Sequence, residues 1–327
     1  MLAFIVNRLL QSALVMLTVG MVAFALFSYI GDPVTAMVAQ DATQQERDAL
    51  RRHLGLDDPA PVRFVRFVGD ALTGNFGISY RMQEPVGKLI LQRLPASLEL
   101  SVVAALIALV GGLAMGVYSG LYPRRWLSRL MLSVSLVGVS LPTFLIGILL
   151  ILIFSVAFPL LPSFGRGDVV HIGWWSTGLL TVSGIKALIM PAITLGLFQM
   201  TLIMRLVRAE MLEVMRTDYI KFARARGLSD RAINLGHALK NTLVPVITIT
   251  GLQLGSIIAF SIITETVFNW PGMGLLFIQS LQAADIPVMS CFLVLIAFFI
   301  VVINLIADLL YFAVDPRLRV DPGARVR

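Results

Sequence analysis

Six apolar stretches dominate this sequence and decide what it can fold into. A helix needs about 20 predominantly apolar residues to cross the hydrocarbon core of a bilayer, and each stretch is close to that length or longer. The fourth is the weakest because Pro191 and Gly196 interrupt it, although lipid-embedded helices tolerate both residues. We therefore predict an all-α, polytopic membrane protein with about six transmembrane helices. The predicted spans are residues 9–30, 98–121, 131–158, 188–207, 243–265 and 288–313.

The composition supports the same interpretation. Hydrophobic residues make up 57% of the 327 residues and charged residues 14%, and the formal net charge is +7. A soluble domain is typically about 25% charged. The basic residues are spread over short segments between the apolar stretches, which is the pattern that orients membrane proteins rather than one that binds nucleic acid.

The distribution of Lys and Arg predicts the orientation of the chain. If the N-terminus is inside, 16 of the 26 basic residues fall in the cytoplasm, while the two short outer loops carry only Arg166 and Lys186. The long first loop carries eight basic residues among eight acidic ones, and loops of that length translocate largely regardless of charge. We therefore predict that both termini are cytoplasmic.

The first loop is predicted to contain at least one helix. Thr43 and Glu46 have the spacing of a capping box, and Gly55 can end the helix before Pro59. The region is either a small folded extracytoplasmic cap or a polar loop with one surface helix, and the sequence leaves both open. The predicted domains are an N-terminal transmembrane helix (1–30), the cap (31–97), a transmembrane core (98–313) that includes a cytoplasmic loop (208–242), and a cytoplasmic tail (314–327).

The sequence lacks the residue patterns of catalysis and of energy coupling. It has no phosphate-binding loop, its three histidines fall in three different segments, and Cys291 is its single cysteine. The predicted spans hold almost no titratable residues, although Asp308 lies near the end of the last one. We therefore predict no catalytic, cofactor-binding or metal-binding residues. Energy for transport then comes from other proteins, or else the chain is a stand-alone secondary transporter or channel.

The cytoplasmic loop is too polar for lipid but has apolar positions at helical spacing. Gly227 can end a first short helix in the left-handed conformation, and Ser229 can cap a second. Two short helices that meet at a turn can dock in a cleft of a partner protein. The same basic, amphipathic segment could also lie on anionic lipid, and both possibilities stand. The apolar positions are Leu212, Met215, Tyr219, Phe222 and Ala223.

Residues 218–245, in this loop and at the start of the next predicted span, resemble the membrane subunits of binding-protein-dependent ABC importers, in particular the peptide and nickel permease group. Ala223, Gly227 and Leu239 match the importer motif Glu-Ala-Ala, three residues, Gly, nine residues, Ile-x-Leu-Pro. The chain departs from that motif at Lys221, Phe222, His237 and Lys240, and its proline comes later, at Pro245. These departures are similar to the peptide and nickel version of the motif.

The resemblance extends along the whole chain, and the long first loop is similar to the first of the two permeases in such systems. The segments that carry it are residues 7–9, 31–33, 54–57, 75–79, 93–100, 265–274, 304–311 and 315–317.

This resemblance implies a type I ABC importer transmembrane fold in the bacterial inner membrane. It implies a heterodimer with a second permease, two ABC ATPase subunits that bind ATP and Mg²⁺, and a periplasmic or lipid-anchored substrate-binding protein. Peptides are expected as cargo because they are the commonest cargo of similar proteins, and oligosaccharides, glutathione and nickel remain alternatives. A bare metal ion is disfavoured because the chain has one cysteine and no carboxylates or histidines deep in its predicted spans. The residues expected to dock the ATPase are Tyr219, Phe222, Ala223, Ala225, Arg226, Gly227, Leu228 and Ser229.

A second segment is expected to lie in an outer loop that faces the binding protein. It consists of Trp270, Pro271 and Gly272, and the alternative is that these residues form a simple tight turn.

Overall fold

The structure, a computed structural model, describes residues 2–29, 34, 43–53 and 57–314. These residues are mostly helical, which confirms the predicted fold class. The helices are α1 (Leu2–Tyr29), α2 (Gln44–His53), α3 (Ala60–Leu72), α4 (Val86–Leu121), α5 (Trp126–Ser140), α6 (Thr143–Ile151), α7 (Val182–Val214), α8 (Asp218–Ala225), α9 (Leu239–Val267), α10 (Met273–Gln282) and α11 (Ile286–Val314). Two π-helical segments span Leu152–Ala157 and Ala232–Ala238, and β1 (Val170–Ile172) and β2 (Trp175–Thr177) form a two-stranded sheet.

Four helical segments within the described residues are long and apolar enough to cross a membrane, and α5 with α6 makes a fifth if the bent pair is one span. The remaining predicted span, 243–265, coincides with α9, part of whose side chains lie outside the described set. Helix α4 begins at Val86, ahead of the predicted span 98–121. Of the predicted tail, 314–327, Val314 is the last residue of α11 and residues 315–327 lie outside the described residues. The four segments are Val6–Leu26, Val86–Leu121, Val182–Val214 and Ile286–Leu309.

The third predicted span is not the single helix that residues 131–158 suggested. Helices α5 and α6 meet at Leu141 and Pro142 with a bend of 111°. Proline has no N–H to continue the backbone hydrogen bonds of a helix, and it disfavours the helical conformation in the residue before it. Leu141 accordingly adopts an extended backbone, with φ −94° and ψ 137°. The hydropathy of the stretch concealed this break because both halves are apolar.

The fourth predicted span, by contrast, is continuous. Pro191 lies inside the 33-residue helix α7, and Gly196 does not break it. A Cβ atom at Gly196 would lie 2.7 Å from the carbonyl oxygen of Ala104 on α4. Gly196 therefore allows close packing between two helices, which is a common role of small residues in membranes.

The close packing of α4 on α7 continues along a row of glycines. A Cβ atom at Gly112 would lie 2.8 Å from the side chain of Ile203. A Cβ atom at Gly116 would lie 2.6 Å from Cβ of Val207, and one at Gly120 would lie 2.6 Å from Cβ of Met211. The glycines are four residues apart, so they form one face of α4. Lipid tails are as apolar as leucine, and helix association in a bilayer relies on such van der Waals contact.

The chain divides into two compact units. The first comprises residues 1–97, 171–176 and 271–301, and the second residues 98–170, 177–270 and 302–327. Helices α4 and α11 each contribute to both units.

In the first unit, the predicted capping box is present at the start of α2. The backbone N–H of Thr43 donates to the Glu46 carboxylate at 2.8 Å, and the N–H of Glu46 donates to the Thr43 hydroxyl at 3.4 Å. The backbone and side-chain hydrogen bonds from Thr43 lower the pKa of Glu46. The cap therefore stabilises α2 at neutral pH, and its contribution is lost as the pH falls through that lowered pKa. Gly55, the predicted helix end, lies outside the described residues.

The first unit also contains a turn that is fixed by a buried carboxylate. Asp285, which precedes α11 and is 1% exposed, accepts hydrogen bonds from the Ser79 hydroxyl and from the N–H groups of Tyr80 and Arg81.

Helix α3 packs on α1 through Phe24 and Phe64, whose ring centroids are 5.4 Å apart. Within its described residues the first loop contains helices α2 and α3 and a buried turn, where the sequence had indicated at least one helix.

Substitution of Gly116 by alanine is expected to destabilise the protein by about 1–3 kcal/mol, because the new methyl group overlaps Val207. Gly20 on α1 is the matched control, since no atom lies within 4 Å of the position that a Cβ would take there. Thermal unfolding in detergent should give a lower apparent Tm for Gly116→Ala and an unchanged or higher one for Gly20→Ala. Equal effects of the two substitutions would contradict the packing argument.

Candidate functional site

The loop predicted to be cytoplasmic, residues 208–242, contains the helix–turn–helix that its sequence indicated. Helix α7 ends at Val214, α8 follows from Asp218 to Ala225, and Asp230 and Arg231 begin a second helical segment that leads through the π-helix into α9. We call residues 208–242 the coupling loop.

Local sequence signals set the start of α8. Thr217 precedes the helix in an extended conformation. Asp218 lies in the first turn and Arg224 in the last, so both charges are favourable to the helix macrodipole. Lys221 pairs with Asp218 at 2.8 Å, but both side chains are exposed, so this pair adds little stability.

The end of α8 is a Schellman motif centred on Gly227. Gly227 has φ +77°, its N–H donates to the carbonyl of Arg224 at 2.9 Å, and the N–H of Leu228 donates to the carbonyl of Ala223 at 3.3 Å. Ser229 then caps the next segment, where its hydroxyl accepts from the N–H of Ala232 at 3.4 Å. The predicted helix end at Gly227 and the predicted helix cap at Ser229 are both confirmed.

The inner side of the coupling loop packs on the core of the second unit. Ile220 is fully buried and Ala223 is 6% exposed, and both lie in one cluster with Val207 and Met211 of α7. The rest of this cluster joins α4, the second π-helical segment and α9. It comprises Ala108, Ile203, Ile233, Ala238 and Val246. The loop is therefore anchored by apolar contacts to the helices that cross the second unit.

The outer side of the loop carries the other predicted site residues. Phe222 is 64% exposed, Tyr219 40% and Leu228 39%, and the Arg226 guanidinium lies 5.8 Å from the centroid of the Phe222 ring. We call the exposed set the docking face. Its members are Tyr219, Phe222, Ala225, Arg226, Gly227, Leu228 and Ser229.

Ala223, which was placed in the same predicted set, lies on the inner side of α8. Sequence reasoning also missed Ile220, Ile233 and Ala238 as anchors. The signal for Ile220 was available, because Ile220 and Ala223 are three residues apart and so share a helix face. Tyr219 and Phe222 were predicted as apolar positions at helical spacing, yet they form the neighbouring, exposed face.

The predicted outer segment lies where the chain passes from the second unit to the first. Trp270 is only 1% exposed, and its backbone N–H donates to the carbonyl of Glu265 at 2.8 Å. Gly272 is buried and precedes α10, while Pro271 is partly buried. The Trp270 side chain is thus an internal packing element of the chain, and a role of this segment in an outer gate stays a prediction.

The second unit contains a cavity of about 480 Å³ at the break between α5 and α6. Its lining is largely apolar, and Gln199 on α7 contributes a polar group and donates to the Ser256 hydroxyl of α9 at 2.6 Å. The lining residues come from three parts of the unit: Val139–Phe144 at the break, Leu195, Phe198 and Gln199 on α7, and Ile257, Phe260 and Ile263 on α9.

No group of three or more His, Cys, Asp or Glu residues that could hold a metal ion is found among the residues that the structure describes.

Comparisons with known proteins agree along the length of the chain. Residues 112–320 match the family described as "Binding-protein-dependent transport system inner membrane component", and residues 1–101 match the family of its N-terminal part. The chain is 37% identical over 334 residues to the di/tripeptide transport system permease protein DppB of Pseudomonas aeruginosa, covering 98% of this chain and 99% of that protein.

It is 33% identical over 320 residues to the glutathione transport system permease protein GsiC of Escherichia coli, covering 98% of this chain and 99% of that protein. A solved structure of the MetNI methionine ABC transporter in inward-facing conformations aligns with a TM-score of 0.54 and 20% identity, over 69% of this chain and 96% of that one. That likeness concerns the fold alone.

Replacing Gly227 by alanine is expected to cost about 1–2 kcal/mol, because a residue with a Cβ is disfavoured at φ +77°. No atom lies within 4 Å of the added methyl, so the cost is conformational. Gly236 in the same loop has equally open surroundings but no positive φ, and Gly236→Ala should not destabilise. Amide hydrogen exchange at positions 227 and 228 should accelerate in Gly227→Ala but not in Gly236→Ala. Unchanged exchange in Gly227→Ala would refute the role assigned to the turn.

Proposed function

The chain belongs to the family of binding-protein-dependent transport system inner membrane components, and from that premise we propose that it imports small peptides together with partner proteins. It is the permease subunit of an ABC importer. With a second permease it forms the translocation path, and two ABC ATPase subunits bind ATP and Mg²⁺ and supply the energy. A periplasmic or lipid-anchored substrate-binding protein delivers the cargo. The complex lies in the bacterial inner membrane with both termini of this chain in the cytoplasm.

The proposal that partner ATPases drive transport through this chain rests on the coupling loop, which has one exposed side and one buried side. Its outer side exposes Phe222 and Leu228 to a partner, whereas its inner side is locked into the core through Ile220 and Ala223. An exposed aromatic ring beside an arginine is typical of an anchor at a protein interface. Movement of a docked ATPase would be transmitted to α4, α7 and α9 because the loop packs on all three.

Docking on an ATPase is favoured over adsorption to anionic lipid by the position of the apolar side chains. An adsorbed helix needs a broad apolar face for the bilayer. The fully buried face of α8 is already used inside the chain, and the exposed face mixes Phe222 with Lys221 and Arg226. Such a mixed surface suits a protein cleft better than the acyl region of a bilayer.

Peptides are the proposed substrate class because both reported permease relatives are described as transporting peptides or glutathione, which is itself a peptide. The cavity at the α5–α6 break is consistent with such cargo. Its volume of about 480 Å³ lies in the range of small-molecule sites, which is about 300–1,000 Å³, and it combines an apolar lining with a glutamine.

The docking assignment is tested by Phe222→Asp, which places a charge on the exposed side of α8. We expect the variant to fold but to lose at least 90% of the ATPase subunits that copurify with the wild-type complex, because a carboxylate is disfavoured in an interface pocket. Phe164→Asp is the matched control, since Phe164 is 61% exposed and lies in a loop predicted to face the opposite side of the membrane. Full ATPase recovery with Phe222→Asp would refute the assignment.

The substrate class is tested by uptake. Vesicles that contain this chain, its partner permease and both ATPases should accumulate a labelled dipeptide only when ATP and the substrate-binding protein are present. Excess unlabelled dipeptide should compete, whereas the free amino acids should not. Accumulation by this chain alone without ATP would support a stand-alone transporter instead. Competition by free amino acids but not by dipeptides would contradict the proposed substrate class.

A further inference from the structure

Glu99, in the part of α4 that belongs to the second unit, is buried and accepts hydrogen bonds from four other residues. Its side chain is 2% exposed. The Arg166 guanidinium donates to it through Nη2 and, at 3.1 Å, through Nε. The Thr177 hydroxyl donates at 2.9 Å, and the N–H groups of Gly178 and Leu179 both donate at 3.0 Å. One carboxylate therefore binds two separate parts of the loop that joins the third and fourth predicted spans.

Arg166 extends this arrangement to the end of α9. Its guanidinium carbon lies 5.9 Å from the centroid of the Trp270 ring, and its side chain is 7% exposed. The preceding residue, Gly165, donates its N–H to the carbonyl of Phe268 at 3.0 Å. We call Glu99, Arg166, Thr177, Gly178, Leu179 and Trp270 the clasp. The clasp joins α4, the loop and the residues that follow α9.

Burial raises the free-energy cost of breaking the contacts of the clasp. Hydrogen bonds between charged groups are stronger than neutral ones, and loss of one partner from a buried pair leaves the other charge without compensation. The exposed pair of Lys88 and Glu84 provides a contrast, because its side chains are 57% and 42% exposed and its nitrogen–oxygen distance is 3.3 Å. Solvent screens that pair, so the same carboxylate-to-amide change should matter little there.

Helix α4 connects the clasp with the coupling loop. From Glu99 to Gly120 the helix extends about 30 Å, and along it Gly112, Gly116 and Gly120 are pressed against α7. The last of these contacts is with Met211, which lies in the same apolar cluster as Ile220 and Ala223 of the coupling loop. Packed contacts therefore run along α4 from the clasp to the inner side of α8 within the second unit.

From this arrangement we propose that the clasp is the outer end of a coupling path and that Glu99 is a positioning residue for transport. The proposal rests on the proposed function, in which a substrate-binding protein arrives on the outer side and ATP is hydrolysed on the inner side. Glu99 holds the outer loop, α4 and the end of α9 as one body. Arrival of the binding protein is then passed along the α4–α7 pair to the docked ATPases.

The experiment uses the full complex of this chain, its partner permease and both ATPases in lipid nanodiscs. ATP hydrolysis is measured without and with the cognate binding protein and a mixed dipeptide library, and the ratio of the two rates is the readout. Amide exchange at residues 177–179 is measured in parallel. The variants are Glu99→Gln, Glu99→Asp, the double variant Glu99→Gln with Arg166→Gln, and the matched control Glu84→Gln.

We expect Glu99→Gln to reduce the stimulation ratio at least fivefold and to accelerate exchange at Gly178 and Leu179 at least tenfold, while Glu84→Gln changes neither. Glu99→Asp keeps the charge, but its side chain is one methylene shorter. Its stimulation ratio should therefore fall between the ratio of Glu99→Gln and that of Glu84→Gln. If Glu99→Gln fails to assemble because Arg166 has lost the Glu99 carboxylate, the double variant removes both charges, and its stimulation should still be reduced.

The proposal is overturned if the double variant, or Glu99→Gln with accelerated exchange, retains the wild-type stimulation ratio. An unchanged ratio would mean that the Glu99–Arg166 pair serves only to stabilise the folded complex. Any variant that assembles would then couple the binding protein to ATP hydrolysis as the wild type does. Unchanged exchange in an assembled Glu99→Gln complex would likewise overturn the clasp. A wild-type complex that the binding protein does not stimulate would be a different failure, since it would refute the proposed function itself.

Discussion

The close approach of α4 to α7 is the constraint on which the second unit depends. In lipid, burial of apolar surface does not by itself bring helices together, so contact between complementary surfaces must do so. Glycines at 112, 116 and 120 of α4 and at 196 of α7 remove the side chains that would hold the two helices apart. The resulting pair is the support on which both the coupling loop and the clasp are built.

The coupling loop combines local and tertiary determinants that agree with each other. Locally, Gly227 and Ser229 set the turn between the two short helices, and the charges of α8 follow its dipole. In the tertiary structure, Ile220 and Ile233 are fully buried in the core. The turn fixes the shape of the docking face and the core fixes its position. The lever between an ATPase and the transmembrane helices that we propose for this loop needs both, because a mobile loop would absorb the motion that it has to transmit.

Buried charged side chains are few among the described residues: Glu99, Arg166, Glu265 and Asp285. Two of these carboxylates, Asp285 and Glu99, each order a segment outside regular helix. Asp285 accepts from the turn at residues 79–81, and Glu99 accepts from residues 166 and 177–179. A buried carboxylate has several lone pairs that must be satisfied, and N–H groups of irregular segments need acceptors. Each carboxylate thus supplies the hydrogen bonds that helices make internally and loops cannot.

The sequence by itself determined what depends on neighbours along the chain. Hydropathy indicated the membrane-spanning helices, the spacing of Thr43 and Glu46 predicted a capping box, and Gly227 predicted the end of α8. Only the tertiary structure decided that Pro142 breaks a span while Pro191 does not, that Trp270 is buried, and that Glu99 meets Arg166. The physical reason is that helix ends are set by interactions within a few residues. Burial and ion pairing instead join residues such as 99 and 166, which no local pattern relates.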